Sequence, residues 1–209
     1  MKHWSILAIL LVLCGAPAHG AIVVADTLGP YEDLFRTPGY QVTHGVAFQF
    51  TATDTAFLTQ IELAFRYKAA PSRDTLIEVR ALSSEFPDLP GDVLELVSDA
   101  CVGCNSPAVE LRPFGFSGTT LLEAGQTYWL AVRSGVVNKG TALAWALGYY
   151  YPLGNAAIRM FDDTFYASGN AAIAAFRITG SQVPIPAAVW LLGSALGALA
   201  WLRRRRTAA

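Results

Sequence analysis

The sequence predicts an all-β fold, an antiparallel β-sandwich of jelly-roll-like form, over residues 21–182. Three observations lead to it. Apolar residues there recur at every second position, the spacing that places them on one face of a strand. Clusters of Pro, Gly, Asn and Asp break these runs, as turns between strands require. A 3.6-residue period is almost absent, so amphipathic helices have no support.

The runs follow in chain order. In residues 46–51, Val46, Phe48 and Phe50 alternate and share a face. In residues 58–67, Ile61, Leu63, Phe65 and Tyr67 do the same. Residues 76–82 read Leu-Ile-Glu-Val-Arg-Ala-Leu, and residues 127–133 read Thr-Tyr-Trp-Leu-Ala-Val-Arg. In the latter, Tyr128 and Leu130 face opposite to Trp129. Residues 142–151 and 174–179 add further strands. Three clusters are expected as turns: Pro87-Asp88-Leu89-Pro90-Gly91-Asp92, Glu123-Ala124-Gly125-Gln126 and Tyr151-Pro152-Leu153-Gly154-Asn155. No internal repeat interrupts the pattern.

The chain has 209 residues, 53% hydrophobic and 15% charged. That oily average comes from the two ends. The middle, about 160 residues, has an ordinary balance and is long enough to bury its own core. Five of the fifteen basic residues, Lys2 and Arg203 to Arg206, also lie in the ends. Residues 21–182 therefore hold ten Lys/Arg against sixteen Asp/Glu, a net of about −6. An acidic domain without a basic patch argues against a nucleic-acid partner.

Residues 1–20 have the parts of a secretory signal peptide. Lys2 supplies the cation, residues 6–13 the apolar core, and Gly15-Ala16-Pro17-Ala18-His19-Gly20-Ala21 the small-residue cleavage region. The apolar core is too short to span a bilayer. Cleavage after Ala18 or after Gly20 fits, so the mature chain is expected to start at His19 or Ala21. A lipoprotein at Cys14 is the alternative, but Leu13 stands where that signal has a small residue.

Residues 183–209 read as an anchor. Residues 183–202 are twenty uncharged residues that would reach roughly 30 Å as a helix, about one hydrocarbon core. Pro184 and Pro186 suit the entry of such a helix and not its interior. Trp190 and Trp201 lie towards its ends. Arg203, Arg204, Arg205 and Arg206 would stay cytoplasmic by the positive-inside rule, which places the middle domain outside.

Val183-Pro184-Ile185-Pro186-Ala187, followed by an apolar helix and an arginine cluster, closely resembles the PEP-CTERM sorting signal in its VPxPA form. No Glu stands between the prolines, unlike the PEP form. The resemblance implies a Gram-negative, exopolysaccharide-producing source. It also implies processing near the motif by a membrane-embedded exosortase, with this chain as the substrate. Leu89-Pro90-Gly91-Asp92-Val93-Leu94, Leu122-Glu123-Ala124-Gly125-Gln126-Thr127-Tyr128-Trp129-Leu130 and the later Trp145 strand resemble the choice-of-anchor ectodomains of R type. That label implies an architecture and no activity.

Few residues suggest chemistry. Cys101 and Cys104 are the only cysteines beyond Cys14, and an exported pair of this kind is expected as a disulfide. A redox motif would need a strand-to-helix setting, and a zinc site more ligands than His44 can add. A nucleophile–base pair would also have to use His44, and no Gly-x-Ser-x-Gly frames a serine. Asp162-Asp163 and the Asp88/Asp92 pair read as turn residues, with calcium binding or a hydrolase carboxylate pair as alternatives. Trp129, Trp145, Tyr149, Tyr150 and Tyr151 are candidates for stacking on sugar faces, with core packing as the competing role. No cofactor and no metal is expected. A non-enzymatic envelope or matrix protein associated with exopolysaccharide is the leading reading, and a carbohydrate-binding module the alternative.

Overall fold

Thirteen strands form among the described residues, and no helix. The computed structural model describes residues 20–28, 39–42, 45–67, 74–99, 108–134, 143–146, 153–159 and 164–183. The strands are β1 (Ala21–Asp26), β2 (Gly39–Val42), β3 (Gly45–Thr51), β4 (Ala56–Tyr67), β5 (Thr75–Leu82), β6 (Pro90–Asp99) and β7 (Glu110–Gly115). They continue with β8 (Leu121–Leu122), β9 (Thr127–Ser134), β10 (Leu143–Ala146), β11 (Leu153–Arg159), β12 (Phe165–Ala172) and β13 (Phe176–Gln182). Gly20–Gln182 is one compact unit.

The strands form two antiparallel sheets. The first runs β1-β13-β4-β10-β2, with β7 and β8 also on β4. At twelve residues, β4 is long enough to hold two neighbours on each edge. Leu63 pairs with Phe176 of β13 on one side and Arg112 of β7 on the other, and Phe65 pairs with Trp145 of β10 and Glu110 of β7. The second sheet runs β12-β11-β3-β9-β5-β6.

Alternation places the core between them. Val46, Phe48 and Phe50 of β3, Ile77 and Val79 of β5, and Tyr128, Leu130 and Val132 of β9 are buried in one cluster. Ile61, Leu63 and Phe65 of β4, Trp145 of β10, and Phe176 and Ile178 of β13 join it from the first sheet. Two sheets sharing one apolar core are consistent with a β-sandwich. Leu58 is in the core too, although it is out of phase with Ile61. A bulge restores the phase: Leu58 pairs with Gly180 and Gln60 with Thr179, so Thr59 is the extra residue.

Two expected turns run into strands: Pro87-Asp88 turn as expected, and Tyr151-Pro152 lie outside the described residues. Pro90 and Gly91 open β6, and the turn precedes them, where Leu89 N donates to Phe86 O at 2.9 Å and Ser83 Oγ accepts from Phe86 N at 3.1 Å. Gly91 serves close approach: a Cβ there would lie 2.6 Å from Leu82 O. Gly154 and Asn155 likewise lie within β11. The third turn holds as expected. Gly125 has φ +78° and Gln126 N donates to Glu123 O at 3.0 Å.

The outer face of the second sheet is partly closed. Ala47, Trp129, Ala131, Ala157 and Phe165 form a second buried cluster there, with Leu89 packed on it. Beside it stands Glu78, fully buried, whose carboxylate accepts from Arg80 Nε at 2.8 Å and from Arg133 Nε. On the core side of β6, Glu95 Oε1 accepts from Ser117 N at 2.6 Å, tying β6 to the loop after β7. Burial works to raise the Glu95 pKa, but hydrogen bonds from the Thr120 side chain and from Ser117 outweigh it. The carboxyl therefore lies below its ordinary value.

Candidate functional site

The described surface has an open groove of about 370 Å³ where β3 and β11 part. Their pairing ends at Phe48↔Ala156, yet β3 continues to Thr51 and β11 begins at Leu153. The unpaired ends diverge. One side-chain bond spans them, from Asn155 Nδ2 to Gln49 Oε1 at 2.7 Å. Ala25 and Asp26 at the end of β1 and Thr27 just after it also line the groove, and Phe50, Ile173 and Phe176 supply the apolar part of the lining.

The polar groups of the wall are mostly engaged. Asp26 is the charged residue of the lining, and both its oxygens are used. Oδ1 accepts from Leu28 N at 2.8 Å and Oδ2 from Arg177 Nε at 2.9 Å. Thr27 Oγ1 donates to Ala174 O at 2.7 Å and accepts from Phe176 N at 2.9 Å. Thr53 Oγ1 donates to Val24 O at 2.9 Å. What remains to meet a ligand is neutral: the Gln49 amide N–H groups, the Asn155 carbonyl and the Thr51 hydroxyl, which lies 3.3 Å from Thr127 Oγ1. Amides and hydroxyls over an apolar floor suit a neutral, hydroxyl-rich ligand.

The sequence-predicted site residues fare differently. Trp129 and Trp145 are both fully buried, which corrects their expected use as sugar platforms: a ring with no exposed face cannot stack on a ligand from solvent. Trp145 fills the space between the sheets, and Trp129 lies in the outer cluster of the second sheet. Tyr149, Tyr150 and Tyr151 lie outside the described residues, as do Cys101 and Cys104, His44, and Asp162-Asp163. Asp88 and Asp92 are exposed, on the turn before β6 and near its start. No group of three or more His, Cys, Asp or Glu that could hold a metal occurs among the described residues.

Val183 follows β13 directly, outside any strand and 38% exposed. Pro184, Ile185, Pro186, Ala187 and Arg203 to Arg206 lie outside the described residues. Among the described residues, no helix is long and apolar enough to cross a membrane. The expected anchor helix, within residues 183–209, lies outside them.

The groove had no signal in the sequence. Its polar residues come from β1, β3 and β11, and Gln49 and Asn155 are 106 positions apart. Only the pairing of the strands brings them together. No protein-family model matches the chain, and no curated protein matches it.

Proposed function

We propose that the chain is a non-enzymatic, exported envelope or extracellular-matrix protein whose tail is an exosortase substrate. One observation carries the reading. The compact unit begins at Gly20 and ends at Gln182, where the signal region and the sorting motif meet the domain, and exposed Val183 opens the motif immediately after the last strand. A protease that cuts near 183–187 would meet a segment whose first residue, Val183, is exposed just past β13. Pro-x-Pro holds such a segment extended, the form a protease cleft accepts. In this reading the chain is exported through the inner membrane, held there by residues 183–209, then cut and released to the envelope or matrix. The domain is jelly-roll-like, akin to the choice-of-anchor R type. The chain passes between sheets at β2–β3, β3–β4, β4–β5, β6–β7, β8–β9, β9–β10, β10–β11 and β12–β13, which supports that form.

Mass spectrometry of the protein from its host, with and without the exosortase, tests the reading. The expected mature N-terminus is His19 or Ala21, with the C-terminus near the motif only when the exosortase is present. Pro184→Ala with Pro186→Ala is expected to leave uncut, membrane-retained protein, because the segment would then join the helix. Normal processing of that variant, or an intact C-terminus with the exosortase active, would overturn the proposal.

The groove favours a second reading, a carbohydrate-binding module for neutral exopolysaccharide. Titration calorimetry with neutral hexose oligomers is expected to show binding that weakens about tenfold in Gln49→Ala or Asn155→Ala, each removing an amide partner. Equal heats from wild type and both variants would remove this reading and leave the sorting reading untouched.

A further inference from the structure

β1 and β13 run antiparallel, and Ala21 pairs with Ser181. Directly paired Cα atoms lie about 4.5–5.5 Å apart, so the chain enters and leaves the domain side by side at one end. β4 and β8 extend the same row, since Ser181 pairs with Phe57 and Phe57 with Leu121. The row lies on the outer face of the first sheet, because Leu58 and Leu122, the next residues along β4 and β8, are in the core. That outer face changes character along the strands. Its end row, Ala21-Ser181-Phe57-Leu121, holds no charge. Leu121 is 40% exposed, Val23, two residues along β1, is 47% exposed, and Phe57 is half-buried. Further from the end, Asp26, Arg177 and Glu62 stand in one row, and Arg177 bonds to both acids.

We infer that this uncharged end of the outer face rests on the lipid surface while the chain is uncut, an inference that rests on the anchor reading of residues 183–209. As a helix, residues 183–202 are only as long as a hydrocarbon core is thick, roughly 30 Å, so no residue is left over as a tether. β13 stays paired up to Gln182, which meets Ala56. The end row would therefore stand within a residue or two of the point where the chain enters the hydrocarbon. An extended residue covers at most about 3.6 Å, and the headgroup layer on each side is roughly 5–8 Å deep. The domain end cannot then stand clear of the headgroups. Apolar side chains at the contact, with the charged row set back from it, suit that boundary. Asp54 and Glu123, in the loops beside the row, are acids, so the contact draws nothing from anionic headgroups and should not weaken with salt.

The test uses the full, uncut chain in vesicles of phosphatidylethanolamine and phosphatidylglycerol, with a fluorophore on Leu121→Cys, Val23→Cys or Leu96→Cys. Leu96 is the control: it is equally apolar and 46% exposed, but it pairs with Glu78 on the outer face of the second sheet. The chain without an added cysteine, which has three of its own, sets the background. Flotation reports whether the chain is anchored at all. Lipid carrying a nitroxide at the headgroup is expected to quench the Leu121 and Val23 labels at least about threefold more than the Leu96 label, at low and high salt alike. All three positions are exposed, so thermal unfolding is expected to match wild type in each variant. A chain that does not float removes the anchor reading and this inference with it. A chain that floats but is quenched equally at the three positions, or loses the difference at high salt, overturns this inference alone.

Discussion

Replacing Glu78 with alanine is expected to destabilise the domain by about 3–5 kcal/mol, the range for breaking a buried ion pair from one side. Glu78 sits mid-strand on β5, between β6 and β9, with no exposed surface. Its two oxygens each accept from a guanidinium, Arg80 at 2.8 Å and Arg133 across the strand pair. The arginine side chains are themselves only 19% and 21% exposed. Removing the carboxylate would leave two cations held close together with little water to screen them. Arg80 could not swing away freely, because its Nη1 donates to Gly91 O at 2.8 Å and its guanidinium lies 5.4 Å from the Phe165 ring centre. Glu78→Gln keeps the shape and one acceptor, so it should fall between. Replacing all three by Leu or Met should recover most of the loss, since no group would then have to be desolvated. Urea denaturation curves for the set check this. An alanine variant within about 1 kcal/mol of wild type would mean the pair is solvated, as exposed ion pairs are.

That triad shows where sequence reading stops. Residues 76–82 were readable as a strand, and Ile77 and Val79 face the core. Glu78 in such a pattern reads as an exposed position. It is buried because the outer face of this sheet carries Trp129, Ala131, Ala47 and Phe165 as a closed cluster, and a second buried face leaves no mark in a period-2 pattern. The alternation of Tyr128 and Leu130 against Trp129 was correct, yet being opposite to the core did not mean being in solvent. β6 was missed for a different reason. Pro90-Gly91 is turn chemistry by local preference, and the backbone contact with Leu82 that requires glycine there is set by a neighbouring strand. The groove was illegible because it exists only where two pairings end out of step. What was legible was local: the faces of β3, β4 and β9, and the Gly125 turn.

Trp145 should be the costliest apolar residue to truncate: Trp145→Ala is expected to lose about 3–5 kcal/mol. It lies on β10, a strand of four residues that gains its place from β4 on one side and β2 on the other. Its ring is fully buried and meets three others: Phe48 at 5.2 Å edge-on, Phe65 at 6.1 Å and Phe176 at 6.4 Å between centres. Phe48 belongs to the opposite sheet, so this contact joins the two sheets directly. A cavity here would be walled by strand backbones and could collapse little. The indole also has a polar duty, because Nε1 donates to Ala175 O at 2.9 Å. Trp145→Phe should therefore cost both volume and a buried hydrogen bond. Trp129 provides the comparison. It is equally buried, but its Nε1 has no hydrogen-bond partner among the described residues. Trp129→Phe loses ring volume while removing an unsatisfied donor, and those two changes offset each other in part. Trp145→Phe is thus expected to be the more destabilising of the two by about 1–2 kcal/mol. Denaturation midpoints of the two Phe variants measure the difference. If they coincide, the Trp145–Ala175 bond does not contribute, and volume alone governs both sites.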